Sequence, residues 1–449
     1  TVTKLKADAR DLIRVELTTV LEYKRQNDRV RMRLRYGTIE TPEGSILRLD
    51  NRLIVGQSEL KTSGDVVNGK MPLVVETNGR KETTVLDWPA DVRGPYGPEL
   101  SMARQALKPG EVRAVKTFIP LLNKIGITNL AARQEEEIEL GRGTKMKLLK
   151  VDTWVTMPDG SMPSELKTTY WVDRGGQILK SYTDVYGGQA TYRTTREGAL
   201  AATGLAELDL IRQTTIRVAR KLPNPEAARE VVYQLAIRDD DLGAIFPNDA
   251  RQTLTLTAGS NNRRGSLLVR TAGAATASPA PDAECLKPNA LIQSDDPAVV
   301  ALARRAVGNA NDARGKAVNI TRWVAKNLAE KNFSSAFAPA SEVAKTLSGD
   351  CTEHSVLVAA MCRSQGVPAR VAVGLVYANT IEGFGFHMWN EVYLDGRWVA
   401  LDAALDQIEV DATHIKLTES SLAGVSPFET FLTVARVSDK LAIQIQELR

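Results

Sequence analysis

Three side chains in the last third of the chain, Cys351, His387 and Asp402, are of the types that nucleophilic catalysis requires. A thiol can attack a carbonyl carbon, an imidazole can take up and return the proton, and a carboxylate can orient the imidazole. All three lie in the stretch from Ser348 to Asp402. They can act together only if the elements that carry them bring them into one pocket.

The residues around Cys351 predict the start of a helix. Asp350 can cap this helix, and Glu353 follows three positions later, which is the spacing of a capping box. The apolar run SVLVAAMC predicts a buried helix, which Gly366 and Pro368 then end. Cys351 therefore lies in the first turn, where free N–H groups and the helix dipole favour a thiolate and can also bind an oxyanion.

A β-hairpin is predicted for the base and the acid. The runs FHMWNEVYL and RWVALDA flank Asp395-Gly396, a dipeptide typical of a two-residue turn. With this turn Trp389 faces Asp402, and His387 lies on the same sheet face, diagonal to Asp402 and within side-chain reach. A loop one residue longer would put Asp402 on the opposite face. The meeting of base and acid therefore depends on a short turn.

Other side chains are candidates for walls and supports of this site. Trp389 and Trp398 share a face with the imidazole in the short-turn register and could limit the access of water, and Asn390 is a further supporting residue. His354, one turn after Cys351, could contact the thiolate. A hydrogen-bonded structural role suits His354 better, because a base on the same helix cannot readily reach both the thiolate and the leaving group.

The orienting carboxylate has alternatives. Asp402 follows the apolar run VAL at the end of a predicted strand, which favours a buried orienting role over an exposed one. Asp406 and Asp411 are the fallback acids if the register shifts. No role for the nearby His414 follows from the residues themselves.

A metal site is a further alternative for the same residues. Cys351, Glu353, His354 and His387 are of ligand type, but the sequence has no second Cys/His pair at ligand spacing. It also has no Asp-rich calcium loop and no Gly-rich phosphate loop. We therefore expect neither a metal nor a cofactor.

The blocks GDCTEHSVLVAAMCRSQGVPARVAVGL and HMWNEVYLDGRWVALDA resemble the bacterial transglutaminase-like superfamily, whose core is related to the papain-like cysteine enzymes. The resemblance covers roughly the last third of the chain. It puts the nucleophile on Cys351, the base on His387 and the acid on Asp402. The later segment DATHIKL, with His414, is also similar to one in bacterial members. In some transglutaminases an indole N–H upstream of the nucleophile binds the oxyanion. Trp323 could take that role, although its amphipathic helix favours a core position.

These residues and the resemblance predict an enzyme that cleaves or transfers an amide acyl group through a thioester on the cysteine. The acyl donor would be a peptide bond or a Gln side chain of a protein or peptide. Water as acceptor makes the protein a protease or amidase, and an amine makes it a cross-linking transglutaminase; the resemblance to bacterial members favours hydrolysis. The rival hypotheses are a non-catalytic scaffold with a relic core, and acyl transfer to an arylamine from an acyl-coenzyme donor.

The rest of the chain indicates an α+β protein, with two mainly antiparallel β domains before the papain-like core. Residues 1–200 have alternating β-branched runs broken by turn residues, and predict one large antiparallel sheet. Residues 201–275 predict a small sandwich-like unit of four strands. Residues 276–449 would form the catalytic domain, after a linker of Pro and small residues at 273–284.

Composition excludes several classes of protein. The chain has 449 residues, of which 43% are apolar and 25% charged, as in ordinary globular proteins. A net charge of +4 without a basic stripe argues against nucleic acid, and no apolar run is long enough to span a membrane. The three cysteines, Cys285, Cys351 and Cys362, do not form a disulfide framework, and Cys362 is interpreted as a core residue. The start without Met suggests a removed leader and a periplasmic or secreted protein, with the cytoplasm as the alternative.

Overall fold

The computed structural model describes residues 1–449 apart from 8–9, 26–27, 56–57, 78, 121, 141–142, 186, 201–212, 272–277, 329–337, 425–426 and 449. Within the described part, sheets dominate the N-terminal half and helices packed on a sheet form much of the C-terminal half. The predicted boundaries near residues 201 and 275 fall in segments outside the described residues.

A seven-stranded antiparallel sheet opens the chain, and its strands are hydrogen bonded in sequence order. Its members are β1 (Val2–Ala7), β2 (Arg10–Arg25), β3 (Asp28–Glu40), β4 (Ile46–Val55), β5 (Ser58–Asp65), β6 (Lys70–Thr77) and β7 (Arg80–Asp87). Leu49, Leu53 and Val55 of β4 are buried on one face, as the period-two pattern predicts.

A second antiparallel sheet, of six strands, follows helix α1 (Gly97–Arg104). Its members are β8 (Val112–Ile119), β9 (Lys124–Glu139), β10 (Lys145–Thr156), β11 (Thr168–Val172), β12 (Ile178–Thr183) and β13 (Gln189–Tyr192). The prediction of one continuous sheet over residues 1–200 is therefore wrong. The stretch WPADVRGPYGP at 88–98 separates the two sheets, because its prolines cannot donate to a ladder. Trp88 and Phe118 join the sheets in a shared core, with ring centroids 5.4 Å apart.

A four-stranded sheet forms the smaller β unit, in the order β16-β17-β15-β22. Its strands are β15 (Glu230–Ile237), β16 (Gln252–Leu256), β17 (Arg264–Arg270) and β22 (Leu441–Leu448). The sequence predicted that residues 201–275 supply all four strands of this unit, and this is wrong for one of them. The short β14 (Ile216–Arg217) pairs with a strand of the catalytic sheet instead. The fourth strand of the small unit is β22, from the C-terminal end of the chain. The small unit is thus built from two distant parts of the chain.

The C-terminal unit packs helices against a sheet of five strands. The strands besides β14 are β18 (Ala369–Ala378), β19 (Gly383–Leu394), β20 (Arg397–Leu401) and β21 (Ile415–Ser420). The remaining α-helices of the described residues are α2 (Arg196–Leu200), α3 (Pro297–Val307), α4 (Ala313–Asn327), α5 (Ala340–Thr346), α6 (Cys351–Ser364) and α7 (Pro427–Val437). Helix α6 lies at the centre, against α3, α4, α5 and strands β18 and β19. Its residues 352–363 are all buried, as the apolar run predicted.

Within the described part of the chain, the helices are all too short or too polar to cross a lipid bilayer.

Candidate active site

Cys351 lies at the first position of α6, where the capping box begins the helix as predicted. Asp350 Oδ1 accepts a hydrogen bond from the N–H of Thr352 at 2.7 Å, and the N–H of Asp350 donates to Glu353 Oε2 at 3.0 Å. Gly349 precedes the cap with a φ of 148°, and a Cβ at that position would collide with the side chain of Glu353. Cys351 itself is partly exposed, so its thiol lies at the edge of an otherwise buried helix.

Glu353 is committed to the backbone around the helix start. Its second carboxyl oxygen, Oε1, accepts from the N–H of Ala338 at 3.0 Å. Burial, followed by the charge of Asp350, raises the pKa of Glu353 well above its usual range. This carboxyl therefore holds the turn that presents Cys351.

The hairpin has the short turn that the sequence predicted. Asp395 and Gly396 have φ values of 52° and 79°, and Leu394 pairs directly with Arg397. Such a turn, with two positive φ values, matches the twist of the flanking strands. The pairing continues from the turn to Asn390, which lies opposite Leu401, so the preceding residue of β19, Trp389, lies opposite Asp402.

His387 and Asp402 meet across this hairpin. His387 Nε2 lies 2.6 Å from Asp402 Oδ2, and both side chains are buried. The other carboxyl oxygen of Asp402 accepts from the N–H groups of Ala404 and Leu405, at 2.8 Å and 3.2 Å. The carboxylate is therefore held in one orientation by backbone donors.

The Cys351 thiol interacts with the same imidazole. Cys351 is close enough to His387 to raise the pKa of the imidazole. Since Nε2 faces Asp402, Nδ1 is the ring nitrogen left for the sulfur. The structure thus brings together side chains from the start of α6, from β19 and from the end of β20.

The electrostatics of this trio favour a protonated imidazole. Burial on its own lowers the pKa of His387, but the charges and hydrogen bonding of its neighbours Asp402 and Cys351 outweigh it, so the pKa stands well above its usual range. Burial opposes ionisation of Asp402, yet the charge and hydrogen bond of His387, with those of His414, lower the pKa of this carboxyl. A protonated imidazole therefore lies beside an ionised carboxylate.

The other two cysteines are more deeply buried than Cys351. The structure leaves all three as free thiols. Burial raises the pKa of Cys285 to about 11 and that of Cys362 to about 12. Cys362 is fully buried in the core, as the sequence predicted.

His414 joins the site, which reasoning from the sequence did not predict. Its Nε2 lies 3.1 Å from Asp402 Oδ2, and its Nδ1 lies 3.1 Å from Asp411 Oδ1. Burial opposes ionisation of Asp411, but the hydrogen bond and charge of His414 lower the pKa of that carboxyl to about 2. Asp411 therefore faces His414, not the base. The signal was the segment DATHIKL, in which Asp and His stand three residues apart.

Of the two predicted wall residues, Trp389 lies at the site and Trp398 does not. The buried indole of Trp389 stacks beside His387, with centroids 6.3 Å apart and an interplanar angle of 18°. Trp398 is on the same face but opposite Tyr393, near the turn. Its ring lies 4.0 Å from the Arg370 guanidinium carbon, and its N–H donates to the carbonyl of Pro279. The assignment of Trp398 to the wall is wrong. Residues on one face of a strand are also separated along its length, so Trp398 shares the face of His387 but lies further along the hairpin.

The remaining predicted supports have structural positions. His354 is buried with Nδ1 2.7 Å from the carbonyl oxygen of Asp350, in agreement with the structural interpretation. Asn390 lies on the opposite face of β19, and its amide donates to the carbonyl of Ser355, which ties the hairpin to α6. Trp323 is partly buried and packs against the main core.

A metal could be considered only at one group of side chains in the described residues. Ligand-type atoms of His387, Asp402 and His414 lie within 4.8 Å of one another. Each of the two Nε2 atoms already faces the same carboxylate oxygen at hydrogen-bonding distance. Hydrogen bonds therefore account for this arrangement without an ion.

Comparison with protein families agrees with the resemblance described above. Residues 300–403 match the model of the transglutaminase-like superfamily. This part of the chain is a transglutaminase-like core. The matched range contains the candidate nucleophile, the imidazole and the carboxylate, and it leaves the N-terminal sheets outside. No curated protein matches the chain.

Solved structures with low overall similarity were also found. One is a candidate cysteine protease from Cytophaga hutchinsonii, with 17% identity and a TM-score of 0.28 over 49% of this chain and 86% of the other. Another is a β-barrel-like protein from Brucella abortus, with 14% identity and a TM-score of 0.30 over 42% of this chain and 84% of the other. A candidate protease from Parabacteroides distasonis has 11% identity and a TM-score of 0.20 over 80% of this chain and 70% of the other.

Proposed function

We propose that this protein cleaves an amide bond of a protein or peptide through a thioester on Cys351. The observation that carries the proposal is the position of His387, which is hydrogen bonded to Asp402 and whose pKa is also raised by the nearby Cys351. Nucleophile, base and orienting carboxylate are then supplied together. The transglutaminase-like core over residues 300–403 supports the same acyl chemistry.

In the first half of the reaction, His387 takes the proton of Cys351 and the thiolate attacks the amide carbon. The new C–S bond creates a tetrahedral oxyanion, which the N–H of Cys351 at the start of α6 can stabilise, since the capping box takes the N–H groups of Thr352 and Glu353. The imidazolium gives its proton to the nitrogen as the C–N bond breaks. An amine or ammonia leaves, and a thioester remains on the sulfur.

In the second half, His387 takes a proton from water while the water oxygen attacks the thioester carbon. The C–S bond breaks, a carboxylic acid is released, and the thiolate and imidazolium are restored. An amine in place of water would form a new amide by the same steps. We rank hydrolysis first on the resemblance to bacterial members, with amine transfer as the second candidate.

The proposal predicts that Cys351 is alkylated by iodoacetamide faster than a peptide thiol below pH 7. An ordinary cysteine has a pKa of about 8.5 and is almost entirely protonated at pH 6. If the His387 imidazolium stabilises the thiolate of Cys351, this residue should react about a hundredfold faster than a peptide thiol at that pH. Peptide mass spectrometry measures the labelling of Cys351 by itself. The buried Cys285 and Cys362 serve as internal controls, and His387→Ala should remove the advantage.

Two outcomes would separate the candidates. If Cys351 reacts no faster than a model peptide and is indifferent to His387→Ala, the protein is better explained as a scaffold with a relic core. If the thiol is activated, incubation with peptide extracts and mass spectrometry of the Cys351 adduct identifies the acyl donor. Incorporation of a primary-amine probe would favour transglutamination, and labelling by an acyl-coenzyme donor would favour arylamine acyl transfer.

A further inference from the structure

His414 is a buried imidazole held between two carboxylates. Its Nε2 faces Asp402 Oδ2 and its Nδ1 faces Asp411 Oδ1, each at 3.1 Å. Asp402 Oδ2 is the same oxygen that binds His387. We propose that His414 is a positioning residue, which bridges Asp411 and Asp402 and thereby holds Asp402 against His387. The catalytic part of this inference rests on the proposed function.

The hydrogen-bonding chemistry of the two carboxylates supports this bridge. An ionised carboxylate can only accept hydrogen bonds. Asp411 has a pKa of about 2, since its hydrogen bonds and the charge of His414 outweigh its burial. The pKa of Asp402 is lowered as well, against its burial, first by His387 and then by His414. The imidazole of His414 is therefore the hydrogen-bond donor between them.

Two aromatic rings also pack against His414. Besides the two carboxylates, the rings of His387 and Trp389 on β19 lie 5.8 Å and 5.3 Å away between centroids. On the neighbouring unit, the Arg251 guanidinium donates to the backbone carbonyl of Asp411. The imidazole is therefore enclosed by groups from several elements.

The loop that carries Asp411 and His414 is clamped by the small β unit. Arg251 Nη2 donates to the Asp411 carbonyl at 3.0 Å, and the Tyr233 hydroxyl donates to the Ala412 carbonyl at 3.0 Å. The N–H of Ala412 donates to the carbonyl of Ala228 at 2.9 Å. The small β unit therefore holds the rear of the site in place.

The first test is the pH profile of Cys351 alkylation in His414→Gln. Glutamine has one amide group and cannot donate in both directions, so Asp402 loses part of its support. We expect alkylation to slow about tenfold, the size of effect that one lost hydrogen bond to a charged group produces. Since Asp402 is then held less firmly against His387, the pKa of His387 should fall and the alkaline limb of the profile should move down by about one pH unit.

Val410→Ala is the matched control. Val410 is fully buried and packs beside Trp389, so this variant loses packing near the site but no hydrogen bond. It should lower the melting temperature without moving the alkaline limb. If His414→Gln behaves in the same way as Val410→Ala, His414 is a packing residue and the proposal is overturned.

The second test does not depend on activity. The chain has three histidines, so ¹⁵N-histidine spectra of the wild-type protein can be assigned with His354→Gln and His414→Gln. We expect Nε2 of His414, which faces Asp402, to carry a proton and to donate it to that carboxylate. A lone pair on Nε2 overturns the proposal. Failure of the proposed function would instead be seen as a wild-type Cys351 that is not activated, whatever these spectra show.

Discussion

At the scale of single residues, the chemistry depends on how Asp402 uses its two oxygens. Oδ1 accepts from the N–H groups of Ala404 and Leu405, and Oδ2 accepts from the two imidazoles of His387 and His414. Four donors occupy about all the lone-pair sites that a carboxylate offers. A buried carboxylate with this many partners has a fixed orientation, and its hydrogen bond in turn orients the imidazole of His387.

Replacement of this carboxylate by an amide tests its role. In Asp402→Asn the group at position 402 loses its charge and can present an N–H to His387 in place of an acceptor, which favours the wrong tautomer. We expect the rate of acyl transfer, measured with a peptide substrate once identified, to fall by about 10³ to 10⁴. Asp406→Asn is the control, because Asp406 is exposed and was the fallback acid of the sequence analysis. A larger effect of Asp406→Asn than of Asp402→Asn would refute the assignment.

At the scale of elements, the site is made by one helix start and one hairpin. Strand β19 pairs along its length with β18, while β14 pairs with its first part and β20 with its last part. Gly374 of β18 pairs with His387 and has no side chain, which leaves room for the indole of Trp389. Strand β19, which carries His387, is therefore held by neighbouring strands along both edges and by the packing of Trp389 against Gly374.

Gly374→Ala should disturb this arrangement. An added Cβ would lie 2.9 Å from Trp389 Cη2 and would also meet the backbone carbonyl of Ile415. Neither neighbour can move easily, so we expect a loss of about 1 to 3 kcal/mol in the free energy of unfolding, measured by denaturant titration, together with slower Cys351 alkylation.

Gly385→Ala is the matched control, since its Cβ would meet only the Cδ1 atom of Ile381, at 3.0 Å. The end of a flexible side chain can move away, and the cost should be well under that of Gly374→Ala. Equal losses in the two variants would mean that the space beside Trp389 is not the constraint.

At the scale of the whole molecule, the units share cores and are not separate modules. The core of the small β unit includes Tyr233 and Ile443 together with Leu375 and Phe384 of the catalytic sheet. The N-terminal sheets contact the C-terminal unit through ion pairs between Arg80 and Asp295, and between Lys124 and Glu429. These pairs are partly exposed, so each contributes on the order of 1 kcal/mol or less.

The strand β22 should therefore matter to stability and to the site together. Ile443→Ala removes a buried side chain from the shared core, and we expect a loss of about 2 to 4 kcal/mol in the free energy of unfolding. Gln444→Ala, on the exposed face of the same strand, should cost under about 0.5 kcal/mol. Denaturant titrations of the two variants make the comparison. Similar losses would show that the apolar face of β22 does not hold the units together.

Local chemistry predicted the parts of this protein that depend on short stretches of chain. The capping box of Asp350 and Glu353 marked the helix start, and Asp395-Gly396 marked the turn and with it the register that brings His387 to Asp402. These features follow from hydrogen bonds and backbone angles within a few residues. The resemblance to the transglutaminase-like superfamily was confirmed over residues 300–403.

Tertiary structure alone decided the remaining features. It divided the N-terminal strands into two sheets and placed His414 between Asp402 and Asp411. It also made β22 the fourth strand of the small β unit and assigned β14 to the catalytic sheet. Each of these depends on which apolar faces cover one another across long separations in sequence. Many pairings of alternating strands satisfy the same local pattern, so only the packing of the complete chain selects among them.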